Sequence, residues 1–472
     1  MKLTERSMWN VREELLRRYP RSLRSTKFAR GGLVALGVSL AAGGAIAASD
    51  ITNLEHDDAS SAFWDWFAEA GGHALHAANG LPLLFLTTVN GMRGVVLGES
   101  HSGDAQQPLL VVPPQLQMRV QDAEGCTWAH LWHTKSDTEV AKLLRSSDGA
   151  HLRLALLLLD HVEQGSASRF APYLAALPPR EELAGVGLFW SEKERSLLSD
   201  PALADKMASY KSVVERVFYE GIRPAAKAKG AEPPPLKDWQ LAVAIVGSRQ
   251  FGGGENAQLV PGLDLINHQN SEDGANTLAK KVTGREAKAL GVPSGAYVLL
   301  PVEGRQIHAG AELKHSYRKD NRDGVLPADE MLQSYGFLPR DLEQSLGAHY
   351  FTSPADLAQA FEREGLLDAE PVVALRAWVD RAWRDHCILQ GAKTGQRALS
   401  PRQSLAIQYR YGRRVLVASQ YVHFLGSLMG SVDAVQPILQ EAISGAQNVS
   451  ADFKKDYLRQ QNEMVARCAA RA

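Results

Sequence analysis

The 472 residues predict an α+β chain: a β-rich core, a helical insert within it, and an all-α C-terminal domain. Three observations predict this. Short apolar runs broken by Gly, Asn and Pro fill the region after residue 80. Long apolar or amphipathic helical patterns replace them from about 150 to 245. Strand and turn signals return from Leu259 to Tyr317, and from Pro354 onward nearly everything has helical periodicity.

The N-terminus stands apart. Residues 1–30 carry nine basic residues against three acidic ones, a net charge of +6, and the uncharged run Gly31–Ala48 follows. As a helix that run would span about 27 Å, near the thickness of a bilayer core. It is rich in Gly and Ala and ends in small residues that resemble a cleavage site. Residues 1–55 are therefore expected to be a targeting or membrane-anchor segment. A retained anchor would contact membrane through 31–48. A plastid or another organelle is the expected location; a membrane-anchored or cytoplasmic protein is the alternative.

The body starts at Phe63-Trp64-Asp65-Trp66-Phe67, an aromatic helix start. LPLLFLTTV, RGVVLGES and PLLVVPPQL then read as strands. His151–Glu163 is a strongly apolar helix with Gly165 as its stop. Ser191 to Glu194 fits a capping box. Leu203–Tyr219 is helical, Pro224–Pro235 reads as an exposed loop, and Trp239–Phe251 is helical again. Ser353 fits an N-cap with Pro354 at the first helical position. The predicted domains are 60–340, with the insert at about 150–245, and 341–472.

Bulk composition narrows the chemistry. Hydrophobic residues make up 45% and charged residues 22%, and the net charge is −1. This is ordinary globular composition without the basic field that nucleic acid requires. Cys126, Cys387 and Cys468 lie far apart, so no Cys-based zinc site or disulfide framework is expected. His130, Trp132 and His133, with His101 and His151, lack acidic residues at matching offsets, so no metal is expected there. They read as partly exposed histidines in a loop. Gly252–Gly254 lacks the Lys-Ser/Thr of a phosphate loop and reads as a turn.

Two stretches carry the functional signal: LVPGLDLINH at Leu259–His268, and ELKHSY at Glu312–Tyr317 followed by Ser334-Tyr335-Gly336-Phe337. Other phrases precede them in order: FWDWFAEAGG at 63–72, Gly91-Met92-Arg93-Gly94, Val112-Pro113, GSASRFAPYLAALP at 165–178, and Ser248-Arg249-Gln250-Phe251. Together they resemble the SET-domain protein methyltransferases, in the Rubisco large-subunit methyltransferase branch, which also includes an actin-histidine methyltransferase. The resemblance covers most of residues 60–470.

It implies a SET fold with a helical insert and a helical substrate-binding domain. It also implies methyl transfer from S-adenosylmethionine to a nitrogen of a protein substrate, expected to be a lysine on a non-histone protein, by a monomer. By the resemblance, Tyr317 is the catalytic phenol beside the sulfonium. Gly91, Met92, Arg93, Gly94, Asn267, His268, Tyr335 and Phe337 bind the cofactor. Ser248, Arg249 and Asp264 lie on the substrate side. Such chemistry needs alignment and a dry channel rather than a metal. The chain departs from the family pattern at Met92 and Arg318, where glycine is usual, and in NRDGVLPADE, which looks like an insertion of about five residues. These departures leave a catalytically inactive binding scaffold as an alternative, and the actin branch of the family leaves histidine as an alternative acceptor.

Overall fold

The computed structural model describes residues 58–76, 83–89, 92–104, 107–135, 137–269, 274–317, 326–338, 354–366, 369–429, 431–446 and 449–471. The leader 1–55, Gly91, Arg318 and Ser353 lie outside them. Contacts divide the chain into two units that meet between Pro339 and Arg340.

The first unit opens with helix α1 (Asp58–Glu69). Phe63 and Phe67, four residues apart, fall on one face and are fully buried. Strands β1 (His73–Ala74), β2 (Leu84–Val89), β3 (Met92–Leu97), β4 (Leu110–Val112) and β5 (Met118–Arg119) follow. The insert contains three long helices: α2 (Ala150–Gln164), α3 (Pro201–Arg216) and α4 (Leu236–Arg249). Seven consecutive residues of α2, Leu152–Leu158, are buried, as expected of a helix apolar on all sides. It stops at Gly165, whose φ of +55° suits glycine. The capping box forms, with Ser191 and Glu194 bonded reciprocally.

The chain then returns through β6 (Gln258–Leu259), β7 (Asn267–His268), β8 (Thr277–Lys281), β9 (Tyr297–Pro301) and β10 (Lys314–His315). One sheet has the order β1-β4-β9-β8 and is antiparallel throughout. β2 and β3 form a hairpin, and β5 pairs antiparallel with β6. β7 and β10 pair in parallel, Asn267 opposite Lys314 and His268 opposite His315. A parallel pair needs a long crossover; here β8 and β9 lie within it.

Two expectations need correcting. Pro224 does not begin a loop. A π-turn at Val217–Ile222 joins α3 to a further helix, Arg223–Ala228, and Pro224 occupies its first turn. The Arg223 N–H reaches back to the Phe218 carbonyl, so the helix runs on to a proline that lacks an N–H. Only the second half of Pro224–Pro235 is loop. The sequence GREAKA, within the stretch read as strand and turn, forms the helix Gly284–Ala289. Five of its six residues are good helix formers.

The second unit is helical throughout its described residues: α5 (Pro354–Arg363), α6 (Pro371–Lys393), α7 (Pro401–Met429), α8 (Gln436–Ser444) and α9 (Ala451–Arg471). Four of these helices have proline in the first turn, where the absent N–H costs nothing. Leu375, Trp378, Val422 and Leu439 are buried in a core of its own. Among the described residues no helix is long and apolar enough to cross a membrane; Gly31–Ala48 is not among them.

Candidate functional site

The parallel pairing of β7 with β10 assembles the site. It sets Asn267 beside the segment that carries Glu312, and His268 beside the segment that carries Tyr317. β3 joins the same segment from the other side. The Leu97 N–H donates to Ala311 O at 3.0 Å, and the Leu313 N–H to Val95 O at 2.8 Å. Three sequence-distant stretches thus converge within a few residues of one another.

Asn267 is the hub. Its Nδ2 donates to the Arg93 carbonyl (3.0 Å) and to Glu312 Oε1 (2.8 Å). Glu312 also pairs with Lys314 Nζ at 2.8 Å. Gly94 leaves room for this contact: a Cβ on it would come within 2.8 Å of Asn267 Nδ2 and 3.0 Å of Glu312 Oε1, and those side chains would have to shift. The Arg93 side chain turns toward the helical insert, donating to Ala176 O at 2.9 Å and lying 3.8 Å from Glu182. Only its backbone carbonyl serves the Asn267 amide. Met92 pairs through its backbone with Val89 at the end of the hairpin.

The His268 Nδ1 accepts the Tyr317 N–H at 3.0 Å, and the two rings lie 4.9 Å apart. The Tyr317 hydroxyl donates to Ile266 O at 2.8 Å. Tyr335 packs on Tyr317 (5.0 Å), and Phe337 lies 6.2 Å from Tyr335 and 6.5 Å from His268. Burial pushes the Tyr317 phenol up to about 12, and it raises Tyr335 as well. Both remain phenols near neutrality.

Beside Tyr317 lies a cavity of about 580 Å³, walled by Arg249, Phe251, Asp264, His315, Tyr317 and Tyr335 among others. Ser248 also lines it, although its hydroxyl donates back to its own helix, at 2.8 Å to Ala244 O. Arg249, the last residue of α4, donates to the Asp264 backbone carbonyl. The Asp264 carboxylate is buried and accepts the Tyr173 hydroxyl at Oδ2. Burial raises its pKa to about 7, against the lowering effect of Arg249 and Tyr173.

The structure therefore brings Asn267, His268, Tyr317, Tyr335 and Phe337 together, with Arg249, Ser248 and Asp264 on the cavity side. The sequence reading missed Tyr173, Glu312, Phe251 and Leu326. Glu312 and Phe251 stood inside phrases already singled out, and Tyr173 inside the APY of 165–178. Leu326 and Glu330, in the second half of the apparent insertion, help wall the cavity. HLWH forms a short helix with both histidines exposed. An acidic partner does exist, because Glu124 meets His133 Nε2 at 2.6 Å. His101 is buried rather than partly exposed. Among the described residues no three His, Cys, Asp or Glu side chains cluster as a metal site would require.

This arrangement, with its helical insert and the helical region after it, is the SET fold. The solved structures it resembles include the SET domain of LSMT bound to lysine and AdoHcy, at 19% identity and a TM-score of 0.50, covering 81% of this chain and 92% of that one. Another is the SET domain of LSMT bound to methyllysine and AdoHcy, at 18% identity and a TM-score of 0.50, covering 82% and 94%. A structure of Rubisco LSMT bound to AdoMet has 18% identity and a TM-score of 0.49, with 82% and 93% covered. At this identity the likeness establishes the fold. No family model matches the chain, and no curated protein matches it.

Proposed function

We propose that this chain is an S-adenosylmethionine-dependent protein-lysine N-methyltransferase acting on a non-histone protein. The observation that carries the reading is the place of Tyr317. Tyr317 lines a cavity large enough for a lysine side chain, and its N–H is held by His268, the neighbour of Asn267, which binds the Arg93 carbonyl and Glu312. The LSMT domains of the same fold are bound to AdoHcy and to lysine or methyllysine, which supports both halves of the reading.

In this reading Asn267, His268, Gly94, the Arg93 backbone, Glu312 and Phe337 hold the cofactor. When bound, S-adenosylmethionine supplies an electrophilic methyl group on a sulfonium. Tyr317 aligns the acceptor nitrogen: its proton is committed to Ile266 O, so its oxygen is left to accept. With its pKa near 12 it does not act as a base at neutral pH. The aromatic walls of Tyr335 and Phe251 exclude water from the acceptor.

The test is incubation with methyl-labelled cofactor and cell extract, followed by identification of the labelled residue. Labelled lysine is the expected result, and labelled histidine would move the acceptor class. Tyr317→Phe is expected to lower turnover by about 100-fold or more while calorimetry still detects cofactor binding. Wild-type turnover in that variant would refute the role of Tyr317. A wild-type chain that binds no S-adenosylmethionine would be a scaffold.

A further inference from the structure

Resting on that reading, we propose that the Asp264 carboxylate, held by Tyr173, is the base that takes the proton from the acceptor ammonium inside the cavity. A lysine side chain arrives protonated at neutral pH, and its nitrogen has no lone pair until that proton leaves. Tyr317 cannot take it, for the reason given above.

Asp264 stands in the wall of the cavity with one carboxylate oxygen unengaged. It walls the same cavity as Tyr317. Its Oδ2 is engaged by Tyr173, which arrives from the helix Ala171–Ala176. Its Oδ1 has no hydrogen-bond partner among the described residues, an uncommon state for a buried carboxylate oxygen. Tyr173 is fully buried and its pKa is raised well above the ordinary value, so it remains a donor at all relevant pH. A proton arriving on Asp264 therefore goes to Oδ1. The charged group facing Asp264 is Arg249, from the end of α4, which donates to the Asp264 backbone carbonyl. The Tyr317 phenol is close enough to feel the carboxylate charge.

The step balances. An N–H bond of the ammonium breaks as an O–H bond forms at Oδ1. The freed lone pair then forms the N–C bond while the donor's carbon–sulfur bond breaks, and the positive charge ends on the methylated nitrogen. The proton on Asp264 leaves later to solvent. A carboxyl titrating near 7 is matched to this task at physiological pH. Tyr173 is a positioning residue, which lowers the Asp264 pKa through its hydrogen bond.

The test has two independent readouts on the full chain. The first is carboxyl NMR of aspartate-labelled protein without cofactor, using Asp264→Asn for assignment. The Asp264 signal is expected to titrate near pH 7, and Tyr173→Phe is expected to raise that midpoint by about one unit. The second is labelled methyl transfer to extract proteins across pH 6 to 10. The wild-type rate should rise with the NMR midpoint, and Tyr173→Phe should move both together. Asp264→Asn should lose about 100-fold at pH 7.5 and recover above pH 9, where the free amine becomes available. A carboxyl midpoint below 5, or an Asp264→Asn variant with the wild-type pH profile, overturns the proposal. No transfer by the wild type at any pH would instead refute the proposed function, and the titration would still be read on its own.

Discussion

Asp264 is a carboxylate that this fold keeps at an energetic cost. In an unfolded chain it ionises near the ordinary value of 3.8, while in the folded chain burial raises it to about 7. The folded state therefore binds the proton more tightly than the unfolded state. The contribution of Asp264 to stability is most favourable below pH 4, declines as pH rises from about 4 to 7, and carries the full deficit above 7. Asp264→Asn removes the ionisation while keeping an oxygen for Tyr173. Its gain in stability is expected to be on the order of 2–4 kcal/mol at pH 8 and near zero at pH 4. Denaturant unfolding at the two pH values measures this. Equal gains at both would mean that the carboxyl does not ionise late in the folded chain. A side chain this costly, facing a cavity, fits the pattern of residues retained for chemistry rather than for stability.

Elements, more than single residues, decide whether Tyr335 reaches Tyr317. The segment Met331–Tyr335 is a π-turn that ends at Gly336, where φ is +77°. A Cβ on Gly336 would lie 2.4 Å from Val186 N and 2.5 Å from the Gly185 carbonyl carbon. The turn is thus pressed backbone to backbone against the insert, and both glycines are needed. Gly336→Ala is expected to cost about 2–4 kcal/mol, from left-handed strain plus the clash. It should also displace the Tyr335 ring and loosen the cavity. A thermal melt reads the first effect, and a raised KM for the acceptor with unchanged cofactor affinity reads the second. A variant with wild-type stability would show that the two backbones do not meet so closely.

This element also shows what a sequence can and cannot convey. The phrases DLINH and ELKHSY were legible because their residue types and order are specific, and β7–β10 pairing does bring Asn267 and Tyr317 into one site. The Tyr173–Asp264 bond was not legible. It spans 91 residues, and nothing local in APY distinguishes a core tyrosine from one that orients a carboxylate. Pro224 misled for a related reason: a proline in the first turn of a helix and a proline in a loop have the same local sequence.

At the scale of the whole molecule, the candidate site and the C-terminal helices belong to different units. The cavity and the Asn267 cradle are built entirely from the first unit. The second has its own core and, within it, a charged centre. Asp385 is 1% exposed and accepts from Arg410 Nη2 and from Arg414 Nη1, each at 2.6 Å. Arg414 also donates to the Arg381 carbonyl, and Arg381 pairs with Glu364, so α6, α7 and the turn that follows α5 are tied together. Removing one partner of such a pair leaves uncompensated charge in a desolvated site. Asp385→Ala is therefore expected to destabilise the helical unit by about 3–5 kcal/mol. If that unit recognises the substrate protein, as the sequence resemblance implies, the variant should methylate extract proteins poorly at a temperature where the first unit remains folded. Its calorimetric affinity for S-adenosylmethionine should stay within about twofold of wild type. Loss of both together would mean that the two units do not divide the work in this way. Retention of full activity, with the helical unit shown by circular dichroism to have melted, would remove it from recognition of those substrates.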